Sequence, residues 1–169
     1  MNHWTAGAKW WGGVFGAWLA LGQPELIRAQ AVLNEVLVDN RTAISNGDEF
    51  PDYVELFNPA SQTVSLAGAS LSDDPGQPRK FVFPSGVALG PGAYLVVWCD
   101  KSTNAPGLHT GFGLNALGDR IALHAADGAT ALDSVEFGLQ LPDSSIGRVP
   151  NATGAWTLAR PTPGQANEA

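Results

Sequence analysis

The feature that most constrains the fold is a series of short apolar runs, rich in Val, Leu, Phe and Tyr, that begins at Val32 and recurs about every 8 to 15 residues. Turn-forming Gly, Pro, Asn and Asp residues separate the runs, and this spacing is typical of all-β sandwiches and barrels. The runs predict strands at 32–38, 53–58, 63–66, 69–72, 81–83, 94–99, 120–124, 132–137 and 145–149.

Three local patterns refine the placement of these strands. Asp127 and Gly128 lie between two of the runs and form the strongest hairpin signal in the chain. Residues 94–98 are apolar on both faces, which predicts a central strand, whereas residues 119–124 alternate, which predicts one buried face. The sequence therefore predicts an all-β fold, a two-layer antiparallel β-sandwich.

The first thirty-one residues differ in composition from the rest of the chain. A polar start containing Lys9 is followed by an apolar stretch at 10–21 and a short polar piece, which is the order of a signal peptide. The A-x-A match at 29–31 predicts cleavage before Val32, and Ala20-Leu21-Gly22 offers an earlier site. We therefore expect a signal peptide at 1–31, a domain at 32–169, and an exported product, secreted or held in the cell envelope.

Charge, length and cysteine content exclude several classes of protein. The apolar stretch is shorter than the roughly 20 residues that span a bilayer, so no membrane span is expected after signal removal. A formal net charge of -7 argues against binding to nucleic acid or to anionic lipid, because both need clustered Lys and Arg. Cys99 is the only cysteine, so the chain has no intrachain disulfide and no zinc site built from cysteine pairs.

Several short motifs, taken in order, resemble the lamin tail domain, in the form that bacteria export. The matching segments are VLNEV at 32–36, DYVELFNP at 52–59, VSLAG at 64–68, LSDD at 71–74, FVFP at 81–84, GPGAYLVV at 90–97, LHTGF at 108–112, SIGR at 145–148 and PTPGQAN at 161–167. The resemblance implies an immunoglobulin-like sandwich displayed outside the cell, and it implies no catalytic residues and no cofactor. Ala69 stands where the family tends to carry Trp, so the resemblance also implies a core that lacks one large aromatic side chain there.

Two glutamates interrupt otherwise apolar strand faces. Glu35 lies between Leu33 and Leu37, and Glu55 lies in the same way on the next predicted strand, between Tyr53 and Phe57. A buried carboxylate needs a partner, and Arg148 or Arg120 has the planar guanidinium that binds a carboxylate through two hydrogen bonds. We expect Glu35, Glu55 and Arg148 to form a structural ion pair in preference to an acid and base pair for glycoside hydrolysis.

Two other groups of residues have the chemistry of a reactive or metal site. Cys99, Asp100 and His109 suggest a thiol nucleophile, but a lone cysteine that ends an apolar strand is usually an inert buried thiol. Carboxylates in two predicted loops have the oxygen ligands that Ca²⁺ prefers, but no EF-hand spacing is present, and we favour the interpretation that these are solvated acidic loops that keep the protein soluble. These carboxylates are Asp39, Asp48, Glu49, Asp52, Asp73 and Asp74.

Two hypotheses for the function follow. The first is an exported, non-catalytic binding or structural module whose partner is an unknown protein or a cell-surface polymer. The alternative is a small metal-dependent hydrolase that uses the acidic loop residues, which would need a pocket that brings at least two carboxylates to a metal.

Overall fold

The computed structural model describes Met1, residues 30–101 and residues 104–169, and the predicted signal segment lies mostly outside this range. The described residues form twelve β-strands and no helix. The strands are β1 (Val32–Leu37), β2 (Asp52–Phe57), β3 (Val64–Ser65), β4 (Ser70–Ser72), β5 (Phe81–Val82), β6 (Ala88–Leu89), β7 (Tyr94–Cys99), β8 (Leu108–His109), β9 (Asp119–His124), β10 (Ala131–Phe137), β11 (Ser145–Val149) and β12 (Ala155–Ala159). The prediction of an all-β fold is confirmed, and within the described ranges no helix has the length and apolar character needed to cross a bilayer.

The strands form two main sheets and one small one. The larger sheet has six strands in the order β12-β11-β1-β2-β7-β8, the second has four in the order β10-β9-β4-β5, and β3 pairs with β6. All pairings are antiparallel except that of β7 with β8. One apolar cluster contains side chains from both main sheets, including Val36 and Val54 from the first and Leu71 and Ile121 from the second. This arrangement is consistent with a two-layer sandwich.

Each of the nine predicted strands overlaps an observed strand. The hairpin predicted at Asp127 and Gly128 is also confirmed: β9 and β10 pair antiparallel, and Gly128 adopts the positive φ of 69° that the turn requires. The sequence pattern missed β6, β8 and β12. β6 and β8 have two residues each, as do β3 and β5, which lie within predicted runs, and of the four residues in β6 and β8 only Leu89 is buried. β12 is an edge strand with an exposed Leu158.

The prediction that residues 94–98 form a central strand is confirmed, although both faces of the strand are less buried than their apolar character indicates. β7 lies between two neighbours, but β8 pairs with it only at Val97 and Trp98, and most residues of β7 are half-buried. β1 and β2 are the strands buried on both faces instead. The reason is that a further layer of chain covers their outer face, which the apolar pattern of the strands alone did not predict.

The folded domain begins before the predicted boundary at Val32. Ala31 is buried in the apolar core, and the side-chain amide of Gln30 donates a hydrogen bond to the carbonyl oxygen of Leu132 at 3.2 Å. Ala31 and Ala69 also line a groove of about 180 Å³, so the core is small at the position where the resemblance predicted a missing aromatic side chain. Residues 30 and 31 therefore belong to the domain.

A buried carboxylate pair as the candidate functional site

Glu35 on β1 and Glu55 on β2 are register partners and face each other across the antiparallel strand pair. Their neighbours Val36 and Val54 belong to the apolar core, so the alternation of the strands places both carboxylates on the opposite, outer face of the sheet. Both glutamates are nevertheless 0% exposed. The chain that buries them is the C-terminal strap, which we define as residues 160–168.

Neutral donors surround the carboxylate of Glu35. The hydroxyl of Tyr53 donates to Oε2 at 2.7 Å, and the hydroxyl of Ser145 donates to Oε1 at 2.7 Å. From the C-terminal strap, the backbone N–H of Thr162 donates to Oε1 at 3.1 Å. Three elements of the fold, β2, β11 and the strap, therefore meet at this one carboxylate.

The carboxylate of Glu55 is held in a similar way. The side-chain amide of Asn34 donates to Oε1 at 3.3 Å, and the backbone N–H of Gly164 donates to Oε2. Gly164 has a φ of 77°, a left-handed conformation that costs a side chain-bearing residue roughly 1 to 2 kcal/mol. A glycine in the strap is therefore what brings this N–H to the carboxylate.

Asn167 fastens the far end of the strap. Its side-chain amide donates to the carbonyl oxygens of Asn34 at 2.8 Å and Arg148 at 3.0 Å, and its backbone N–H donates to Oδ1 of Asn151 at 3.0 Å. Gly147 leaves the space that this requires, because a Cβ there would lie 2.7 Å from Nδ2 of Asn167. β11 thus carries a glycine at the point where the strap crosses it.

Burial dominates the electrostatics of the pair. Burial raises the pKa of Glu55 from 4.5 to about 7, the hydrogen bonds from Gly164 and Asn34 oppose that rise, and the nearby Glu35 adds to it. Burial also raises the pKa of Glu35, against the hydrogen bonds from Ser145, Tyr53 and Thr162. Among the described residues, no Lys, Arg or His side chain forms an ion pair with either carboxylate. The pair therefore holds a proton more readily than exposed glutamates do.

The predicted ion pair of Arg148 with Glu35 or Glu55 is wrong. Nη2 of Arg148 binds Oδ1 of Asp133 at 3.0 Å, Nε donates to the carbonyl oxygen of Leu33 at 3.0 Å, and the guanidinium lies over the ring of Trp156. The reason is the register of β11, since Gly147 is the partner of Glu35 and the next residue, Arg148, points to the opposite face. The pattern of the sequence indicated that the glutamates are buried but not which side of β11 faces them.

A family model described as the lamin tail domain matches residues 28–138, which is more than half of the chain. The chain belongs to the lamin tail domain family. No significant match exists among curated proteins or among solved structures.

Four of the nine motifs that resemble the lamin tail domain meet at the carboxylate pair. Asn34, Glu35 and Glu55 lie in the part of the chain that the family model matches. The other residues of the cluster come from the two motifs nearest the C-terminus, and they are Ser145, Gly147, Thr162, Gly164 and Asn167. Sequence reasoning missed the donors in the strap and missed Asp133, although Gly and Asn in the closing motif were a visible sign of a specific backbone conformation.

The cysteine of this lamin tail domain is buried, as predicted. Cys99 lies in the apolar core, and burial raises the pKa of its thiol, which disfavours the thiolate that a nucleophile requires. Asp100 and His109 do lie together, with Oδ1 of Asp100 2.6 Å from Nδ1 of His109, while Nε2 of His109 lies 3.1 Å from the carbonyl oxygen of Ala105. The His109 side chain is thus held between two acceptors.

The acidic loop residues do not assemble into a metal site in the described ranges, where no group of three or more His, Cys, Asp or Glu side chains is placed to hold an ion. Asp39 pairs with Arg41 at 2.9 Å, and Asp73 pairs with Lys80 at 2.6 Å. Asp74 accepts the backbone N–H of Gly76 at 2.8 Å. The carboxylates of these three loop residues serve local turns and ion pairs, so the hypothesis of a metal-dependent hydrolase gains no support from them.

Proposed function

We propose that the protein is an exported, non-catalytic module of the lamin tail type that contacts another protein or a polymer at the cell surface. The observation that carries this proposal is the use of the family's polar motif residues in internal hydrogen bonds. Glu35 and Glu55 have the burial and the raised pKa values of possible acid and base catalysts, yet both are 0% exposed beneath the C-terminal strap. Motif residues that form internal hydrogen bonds stabilise the fold, so contact with a partner falls to the surface loops.

Export is supported by the order of polar, apolar and polar residues in the first part of the chain. The burial of Ala31 and the hydrogen bond of Gln30 favour cleavage after Gly22 over cleavage before Val32, because the later cut removes both contacts. The proposed mature protein therefore begins at Gln23.

The experiment that tests this function is a pull-down from cell-envelope and extracellular fractions with the tagged protein, carried out with and without millimolar Ca²⁺. We expect a defined protein or polymer to be retained in both conditions, and a matched pull-down with an unrelated immunoglobulin-like domain removes non-specific binders. Hydrolysis of polysaccharide or ester substrates that is lost in the variant Glu55→Gln would contradict a non-catalytic module.

A further inference from the structure

Three exposed leucines lie together at one end of the sandwich. Leu117 is 80% exposed, Leu139 is 69% exposed and Leu141 is 50% exposed. They lie in the loops that enter β9 and leave β10, which are adjacent because Asp119 and Phe137 are register partners. We call these three side chains the leucine tip.

Hydrogen bonds fix the backbone that carries the leucine tip. The backbone N–H of Gln140 donates to the carbonyl oxygen of Ala116 at 2.8 Å, which joins the two loops. Oδ1 of Asn115 accepts the N–H of Leu117 at 3.0 Å. The side chain of Gln140 is buried, so its two neighbours, Leu139 and Leu141, project outward. Because the loop backbone is already fixed, a partner that contacts these leucines orders little additional backbone, which favours their use as contacts.

The charge beside the leucine tip indicates the kind of partner. An open groove of about 530 Å³ lies beside the loops of the tip, since Gly118 and Phe137 line it, and its other lining residues are Asp73, Asp119, Arg120 and Glu136. Lys80 pairs with Asp73 at 2.6 Å, which leaves the two carboxylates of Asp119 and Glu136 and the one guanidinium of Arg120. The chain as a whole has a formal net charge of -7. Electrostatic complementarity therefore favours a basic partner and disfavours a second copy of this acidic chain.

The size of the leucine tip argues for a short partner segment. A stable interface between two globular proteins buries roughly 800 Å² on each side, far more than three leucine side chains provide. A short extended peptide needs only a few anchoring pockets or projections.

We propose that the leucine tip and the adjoining groove form a docking surface for a short extended segment of a partner protein, one that carries apolar side chains flanked by Lys or Arg. The apolar side chains pack on Leu117, Leu139 and Leu141, and the basic side chains face Asp119 and Glu136. This inference deepens the proposed binding function by locating its surface.

The test measures fluorescence anisotropy of labelled synthetic peptides with the purified full chain. The probe alternates lysine and leucine, and two control peptides alternate lysine with serine and glutamate with leucine. We expect the lysine–leucine peptide to bind at least about tenfold more tightly than either control, since both the apolar and the charged contacts contribute.

Two variants test whether the peptide binds at the leucine tip or at another exposed apolar side chain. The triple substitution Leu117→Ser, Leu139→Ser and Leu141→Ser should weaken binding of the lysine–leucine peptide at least about tenfold, whereas Leu158→Ser should change it less than about twofold. Leu158 is a suitable control because it is 54% exposed and lies on β12, outside the two loops. All four positions are exposed, so circular dichroism should show the fold unchanged.

Three outcomes would overturn the proposal. Equal binding of the peptide to the triple variant would exclude the leucine tip, and self-association that the triple variant abolishes would assign the tip to contact between copies. Binding to phosphatidylcholine vesicles that needs the three leucines, without peptide binding, would assign it to lipid. If the envelope pull-down succeeds while the peptide test fails, the binding function stands and only this surface is wrong.

Discussion

The carboxyl group of Glu55 links protonation to folding. Its pKa is raised from 4.5 to about 7 in the folded protein, mainly by burial, so the folded chain keeps a proton that the unfolded chain releases. The stability that this proton contributes is fully present below about pH 4.5 and is lost as the pH rises through about 7. At about 1.36 kcal/mol for each pKa unit, the loss between about pH 5 and pH 8 is roughly 2 to 3 kcal/mol.

The substitution Glu55→Gln should remove most of this pH dependence. Glutamine keeps the shape of the side chain but does not titrate, although its amide faces donors on both sides and the variant should lose about 1 kcal/mol near pH 5. Urea unfolding at about pH 5 and pH 8 measures the difference, with the exposed substitution Glu136→Gln as the control. The expectation fails if wild type and Glu55→Gln lose the same stability between the two pH values.

Arg148 joins β11 to β10 through its ion pair with Asp133, and the two side chains are 19% and 14% exposed. Such a pair lies between fully buried pairs, whose disruption costs about 3 to 5 kcal/mol, and exposed pairs, which contribute under about 1 kcal/mol. We expect Arg148→Ala to cost about 2 to 3 kcal/mol and Arg41→Ala, in an exposed pair, under about 1 kcal/mol. A double-mutant cycle by chemical denaturation should give strong coupling of Arg148 with Asp133 and little with Glu35. Strong coupling with Glu35 and little with Asp133 would instead support the pairing predicted from the sequence.

At the scale of elements, the C-terminal strap is held by backbone carbonyl oxygens of β1 and β11 and by the carboxylate pair. Asn167→Ala removes two hydrogen bonds to buried carbonyl oxygens, and we expect it to cost about 1 to 3 kcal/mol. Gln165→Ala is the matched control because its side chain is exposed in the same strap. Hydrogen exchange by NMR should show faster exchange at the amides of Thr162 and Gly164 in Asn167→Ala alone. Unchanged protection of both amides would mean that Asn167 does not hold the strap.

The elements also show which parts of the fold are accessible to sequence reasoning. Strands such as β1 and β9 have runs of Val, Leu and Ile bounded by turn residues, and both were predicted within one residue at each end. The two-residue strand β8 was missed because its residues are only half-buried and leave no periodicity, whereas the equally short β3 and β5 lie within the predicted runs at 63–66 and 81–83. The partner of Arg148 was also missed, because a change of one residue in the register of β11 moves the side chain to the other face.

The candidate site was predictable only in part, because local patterns indicate burial but not which distant groups meet a side chain. The burial of Glu35 and Glu55 follows from their apolar neighbours, which alternate along each strand. The donors from Thr162 and Gly164 are backbone groups, more than a hundred residues away from the carboxylates along the chain. Local patterns carry no information about such a contact, because any residue type supplies the same N–H.

At the scale of the whole molecule, the N-terminal boundary of the domain is open to a direct test. A chain that begins at Val32 lacks the buried Ala31 and the hydrogen bond of Gln30, and it places a charged amino group beside the core. We expect its free energy of unfolding to be about 1 to 2 kcal/mol lower than that of a chain that begins at Gln23, because it loses one buried methyl group and one hydrogen bond. Thermal unfolding compares the two, and equal midpoints would place the start of the domain at Val32.

Four motifs of this lamin tail domain build a fully buried carboxylate pair beneath the C-terminal strap. The most direct test is the pKa of Glu55, measured from the pH dependence of its ¹³Cδ chemical shift by NMR. The account predicts a pKa near the value of about 7 that burial produces. A pKa near the ordinary 4.5 would mean that water reaches the carboxylate and that the strap does not bury the pair, which would contradict the account.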